Sequence, residues 1–268
     1  MFVESTLQSF AKALSRALLA ERAAHERGLL QRLDPRVRLI GLLGLVVAVT
    51  LCRRLEIIAI LFLVAIGLAV LSKISLWSLC KRVWLVVLGF TGLIAMPALF
   101  LTPGEAWRAI PWLHLTVTQT GLHSALLLLL RVETAATLTT TLVLCTPWTH
   151  ILKALRSLGV SPEIVTMLAM THRYAFLLIE TANQMFESRQ SRTVGVLRPA
   201  ERRRVAARTA GVLLSKSVEL SQEVYLAMMS RGFRGEIRLL ADFQMTPLDY
   251  AGLAAFLASG VLVVWVGR

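Results

Sequence analysis

Five apolar runs punctuate the chain, at Leu39–Cys52, Ile57–Leu71, Val83–Leu101, Leu122–Leu144 and Leu248–Val266. A helix needs about 20 mostly apolar residues to cross the hydrocarbon of a bilayer, so these runs predict about five transmembrane helices. Only Arg53-Arg54-Leu55-Glu56 separates the first two, which predicts a tight helical hairpin. Both are short, so flanking charges must snorkel or the bilayer must thin around them. Pro97 lies near the end of the third run, and Thr102-Pro103-Gly104 predicts a turn after it. Tyr250 and Trp265 stand near the two ends of the fifth run, where interfacial aromatics sit.

The region between Leu144 and Leu248 has another pattern. Ser161-Pro162-Glu163 reads as a helix start, with a serine cap, proline at the first helical position and an acid in the first turn. The helix begins apolar (Ile164 to Met170) and turns mixed after His172; Arg173, Glu180 and Glu187 recur every seven residues and share one face. Pro199 marks a break. A second long helix is predicted from about Ala200 to Ser230, with Val205, Val212, Leu213, Leu220, Val224 and Met228 as its buried stripe. Arg204, Arg208, Glu219 and Glu223 fall on other faces.

Composition sharpens this reading. The chain is 56% hydrophobic and 17% charged, against roughly a quarter charged in soluble domains, which points to an all-α integral membrane protein. A net charge of +13 would suit nucleic acid, but the mean hydropathy of +0.67 argues against that partner and for cytoplasmic loops facing anionic lipid. Residues 181–246 hold eleven Lys or Arg, and loop 72–82 holds Lys73, Lys81 and Arg82. Placing both in the cytoplasm with the N-terminus gives five spans and an external C-terminus, with Arg53, Arg54 and Arg108 outside. Helix 161–180 then lies at the membrane edge. The expected division is an amphipathic cytoplasmic segment 1–36 without the apolar core of a signal peptide, a four-span region 37–145, coupling helices 146–246 and a C-terminal membrane helix 247–268.

Candidate chemistry is sparse. There is no GxxxxGK[ST] loop for ATP. Cys52, Cys80 and Cys145 are scattered and read as small apolar residues at or near membrane segments. His114, His123, His150 and His172 lack a histidine or carboxylate one turn away; His25 has Glu21, but two ligands make a poor metal site. No metal site is therefore expected in this chain. Arg131 and Glu133 lie inside the fourth span, where charge costs a few kcal/mol. Two residues apart, they point to different sides of the helix. They fit either an ion path, which would make the chain a stand-alone secondary transporter, or ties to other helices or to a partner protein, which is the favoured reading. A non-transport membrane scaffold is a third possibility. Thr137, Thr139, Thr140 and Thr141 fit helix packing.

Both long helices end on a Ser-Arg pair: Ser191-Arg192-Thr193 and Ser230-Arg231-Gly232. Arginine suits a helix C-terminus and glycine the left-handed closing turn. An arginine beside a small residue also fits a narrow acidic groove, where it can bond a carboxylate bidentately. With Leu33-Asp34-Pro35-Arg36-Val37-Arg38, Thr146-Pro147-Trp148, Leu155-Arg156-Ser157-Leu158-Gly159-Val160 and Arg173-Tyr174 in this order, the chain resembles the T component of energy-coupling factor (ECF) transporters. The amphipathic start, Ala20-Glu21-Arg22 through Gln31-Arg32, is most similar to the cobalt/nickel branch.

The resemblance implies a non-catalytic subunit of a prokaryotic cell-membrane importer. It implies two ABC-type ATPase partners that bind ATP and magnesium, and a separate membrane subunit that captures the substrate. By position it implies that Arg192 and Arg231 are the ATPase-coupling residues, flanked by Ser191, Thr193, Ser230 and Gly232. Both motifs depart from the family's Ala-Arg-Gly in having serine first, and Thr193 replaces glycine in the first. Threonine disfavours positive φ, so that helix is expected to end differently, at about Gly195.

Overall fold

A computed structural model of the chain describes residues 28–101, 106–110, 115–192, 198–235 and 245–267. Thr193, Gly195, His25, His114, the turn at 102–104 and residues 1–27 of segment 1–36 lie outside these residues. The chain separates into two compact units. One takes in the described residues from Leu155 to 235, the other those up to Ala154 together with 245–267.

The larger unit is built from the five apolar runs, each of them helical. After a short turn of helix α1 (Leu29–Arg32) come α2 (Pro35–Leu51) and α3 (Leu55–Leu71), joined by the expected tight hairpin. The one-turn α4 (Leu76–Leu79) leads through a π-helical turn (Cys80–Trp84) into α5 (Leu85–Leu101), followed by α6 (Gln119–Cys145) and the terminal α10 (Pro247–Gly267). By length and composition α6 and α10 are long and apolar enough to cross a membrane. Helices α2, α3 and α5 have 17 residues each, the lower limit for a span. The all-α architecture carries one short hairpin, β1 (Ala106–Ile110) paired antiparallel with β2 (Leu115–Thr118), between α5 and α6.

Helix α6 is the hub, packing on α2, α3 and α5. Its buried face carries Glu133, Thr134, Thr137, Leu138, Thr141, Leu142 and Cys145. Thr134, Thr137 and Thr141 each turn the hydroxyl back onto the carbonyl four residues earlier, which satisfies it without a partner helix. Trp84 Nε1 also donates to Thr137 Oγ1 at 3.0 Å. Helix α10 runs parallel to α2. At one end the Asp34 N–H donates to the Asp249 carboxylate; at the other the Arg53 N–H donates to the Gly267 carbonyl at 2.9 Å. Gly41 makes the approach possible, because a Cβ there would lie 2.5 Å from the Phe256 ring. The three cysteines are free, with Cys52 and Cys145 buried and Cys80 half-buried.

The smaller unit holds α8 (Pro162–Gln190) and α9 (Pro199–Ser230), which pack on each other, and the cut between units falls inside α7 (Trp148–Ser157). Helix α8 starts where the proline rule places it, although the Ser161 hydroxyl does not cap it. It is not among the helices apolar enough to cross a membrane. Arg173, Glu180 and Glu187 are all exposed, as their shared face requires. At the start of α9 the Glu201 carboxylate accepts the Arg198 N–H at 3.2 Å. The inner stripe of α9 consists of Val205, Thr209, Leu213, Leu220, Val224 and Met228. Val212 is not part of it: it is 52% exposed, and Thr209 is the buried residue of that turn.

Candidate functional site

The ends of α8 and α9 are built alike. At the end of α8 the Ser191 hydroxyl donates to the Ser188 carbonyl at 2.9 Å; at the end of α9 the Ser230 hydroxyl donates to the Ala227 carbonyl at 2.9 Å. Each serine thus satisfies a carbonyl that the helix terminus leaves without a partner. The arginine that follows, Arg192 or Arg231, is exposed.

The two closures then differ. Helix α9 ends in a Schellman motif: Phe233 N–H donates to the Met228 carbonyl and Gly232 N–H to the Met229 carbonyl, both at 3.0 Å. Gly232 holds the required positive φ, +78°. At the end of α8, Ser191 itself is the cap, its N–H donating to the Glu187 carbonyl at 3.0 Å, and Arg192 N–H donates to the Arg189 carbonyl at 3.1 Å. Relative to the helix end, the first Ser-Arg pair therefore sits one position later than the second.

Between α8 and α9 runs an open groove of about 410 Å³. Met170, Tyr174 and Leu178 line one wall; Leu220, Val224 and Met228 line the other. Nearby on α8, His172 meets Phe176 edge-on at 4.8 Å, and the Arg173 guanidinium lies 5.8 Å from the centre of the Tyr174 ring. Outward, α9 exposes Leu214, Val218 and Leu226, so this helix shows apolar surface on more than one side.

In the larger unit, Arg131 and Glu133 have separate duties. Arg131 Nη2 donates to the Cys52 carbonyl at 2.7 Å. Cys52 caps the C-terminus of α2, so the guanidinium meets an orphan carbonyl at the negative end of a helix dipole. The arrangement is reciprocal. Buried Arg38, in the first turn of α2, donates to the carbonyl of Cys145, the last residue of α6, and faces Thr146 Oγ1 at 3.4 Å. Antiparallel α2 and α6 each give the other an arginine. Glu133 is 6% exposed, and among the described residues neither carboxylate oxygen has a hydrogen-bond partner. Among the described residues, no three His, Cys, Asp or Glu side chains come together to hold a metal ion.

One constellation is absent from the sequence reading. Asp249 accepts from Thr246 N–H at 2.8 Å and Thr246 Oγ1 at 2.7 Å, the side-chain-to-N-cap half of a capping box on α10, while its other oxygen takes the Asp34 N–H at 2.6 Å. Asp34 in turn caps α2 by accepting from Arg36 N–H at 2.8 Å. The T-x-x-D spacing of Thr246 and Asp249 is the signal that marks the cap; the link to Asp34 has none.

The class that emerges is a helical membrane protein with a pair of long amphipathic helices whose arginine-bearing ends lie open. A family model described as "Cobalt transport protein", CbiQ, matches residues 26–240. An uncharacterized protein of Methanocaldococcus jannaschii is 30% identical over 268 residues, covering 99% of this chain and 92% of its own. The cobalt transport protein CbiQ of Rhodobacter capsulatus is 31% identical over 126 residues, 44% of this chain and 50% of its own. The chain belongs to the CbiQ family of cobalt transport proteins, membrane components of transport systems.

Proposed function

We propose that the chain is the transmembrane coupling subunit, the T component, of an ATP-driven ECF importer whose cargo is cobalt or nickel. On this reading two partner ABC-type ATPases bind and hydrolyse ATP with magnesium, and another membrane subunit captures the ion. This chain is non-catalytic and passes motion between them. It is multi-pass, with its N-terminus, loop 72–82 and the coupling region 146–246 in the cytoplasm.

The observation that carries the reading is the matched pair of tips. Helices of 29 and 32 residues, about 44 and 48 Å long, end in serines folded back onto their own backbones, so that Arg192 and Arg231 reach outward. Each guanidinium has the geometry to enter an acidic cleft on one ATPase and pair bidentately with a carboxylate. Ser191 and Ser230 keep the approach narrow, and Gly232 lets the chain turn away behind Arg231. Leu214, Val218 and Leu226 give α9 an apolar face on which to slide against a membrane partner.

Replacing both arginines, Arg192→Glu and Arg231→Glu, is expected to abolish metal uptake and the co-purification of the ATPases. Retention of both properties rejects the coupling role. A second check is reconstitution of the chain alone: ion-driven uptake without any ATPase would favour a stand-alone carrier using Arg131 and Glu133.

A further inference from the structure

The turn after α3 closes with a Schellman motif, as α9 does: Lys73 N–H donates to the Val70 carbonyl at 2.9 Å and Ile74 N–H to the Ala69 carbonyl at 3.1 Å. Ile74 supplies the motif's apolar contact by packing against the cluster of Ala69, Leu79 and Val83. The left-handed position is occupied by lysine. Lys73 has φ +57°, the one non-glycine residue with positive φ among the described residues. Among the described residues the same closure occurs twice more, after α7 and after α9, and both times uses glycine: Gly159 at φ +93° and Gly232 at φ +78°. A Cβ in this region crowds the following carbonyl, so glycine at position 73 would give the same backbone without strain. A strained side chain that the backbone does not need points to a use for the side chain.

Its surroundings identify that use. Lys73 and Lys81 are both exposed, and the sequence holds no Asp or Glu from residue 57 to 104. Between them Trp77 is 77% exposed, and Leu71, Leu76, Leu85 and Val86 are exposed around the same turn. Water alone does not suit such a collar. A bilayer surface does, with tryptophan at the headgroup level and lysine ammonium groups among the phosphates. We propose that this turn binds the phosphate of an anionic phospholipid, with Lys73 and Lys81 as its cationic ligands and Trp77 set in the interface beside them.

The test uses the full chain in nanodiscs of phosphatidylcholine, with or without phosphatidylglycerol, following thermal unfolding by intrinsic fluorescence. Phosphatidylglycerol should raise the midpoint of the wild-type protein by roughly 2–4 °C. Lys73→Gly relieves the strained backbone and should unfold at a higher temperature than wild type in phosphatidylcholine, yet gain less than half the wild-type rise from phosphatidylglycerol. Adding Lys81→Gln should remove the rise. An undiminished rise in the double variant overturns the proposal, as does an equal rise produced by soluble glycerol phosphate, which would make the site one for free phosphate.

Discussion

Asp249 joins the two ends of the larger unit's chain, and its removal has a calculable effect. The residue is 2% exposed and accepts three hydrogen bonds, from Asp34 N–H, Thr246 N–H and Thr246 Oγ1. In Asp249→Ala the Thr246 hydroxyl can rotate to a new partner, but the two backbone N–H groups cannot. Each buried donor left unmade costs about 1–3 kcal/mol, and loss of the cap on α10 falls within the same bonds. The expected destabilisation is therefore about 3 kcal/mol. Asp249→Asn keeps one acceptor oxygen and turns an NH2 toward one of the donors, so it should cost about half as much. SDS titration of the detergent-solubilised protein, followed by tryptophan fluorescence, measures both. The order Ala worse than Asn, with Ala above 2 kcal/mol, is the expected result. An alanine variant within about 0.5 kcal/mol of wild type, the range of inert surface changes, would refute the reasoning, because the carboxylate would then bear none of the joint.

Two further outcomes follow from single residues. Glu133→Leu exchanges an unpartnered buried carboxyl for an apolar side chain of similar size and should raise stability in the same titration by about 1–3 kcal/mol; a loss of more than 1 kcal/mol would mean that the carboxyl has a partner, and that this account of it is wrong. Gly232→Ala puts a Cβ at φ +78° and should cost about 1–2 kcal/mol, confined to the end of α9. Hydrogen exchange at Gly232 and Phe233 should then quicken by about tenfold with the rest of the helix unchanged, and unchanged exchange at these two amides would contradict the Schellman assignment.

How far the sequence reaches depends on the range of the interaction. Apolar runs encode helices locally, so the run Leu248–Val266 becomes Pro247–Gly267 and the run Leu122–Leu144 becomes Gln119–Cys145. Helix starts marked by proline, at Pro162 and Pro199, are equally local. The stripe on α9 fails at Val212 for a geometric reason. Seven residues fall short of two turns of helix by about 20°, which carries Val212 past Val205 and off the edge of the stripe, whereas the step of four from Val205 reaches Thr209, the buried residue of that turn. The β1–β2 hairpin escapes notice because Ala-Trp-Arg-Ala-Ile has no clean alternation. Least legible are the joints. Asp34 and Asp249 are 215 residues apart, and Arg38 is 107 from Cys145; no local pattern announces such pairs. The Ser-Arg ends are legible as caps from residue order, whereas the matching fold of their two serines shows only in the structure.

The exchange of arginines between α2 and α6 carries one more implication. Fourteen residues separate Arg38 from Cys52, and fourteen separate Arg131 from Cys145. Two antiparallel rods, each about 21 Å between its fastened points, are thus bolted at two places with equal spacing, at both ends of α2 and along the C-terminal half of α6. Inserting or deleting a single residue in either rod would swing one bolt by 100° and shift it 1.5 Å, so that only one of the two could close. The pair is a strut of fixed length, stiff against sliding. For the coupling role proposed above, these two helices would serve as a frame that does not give.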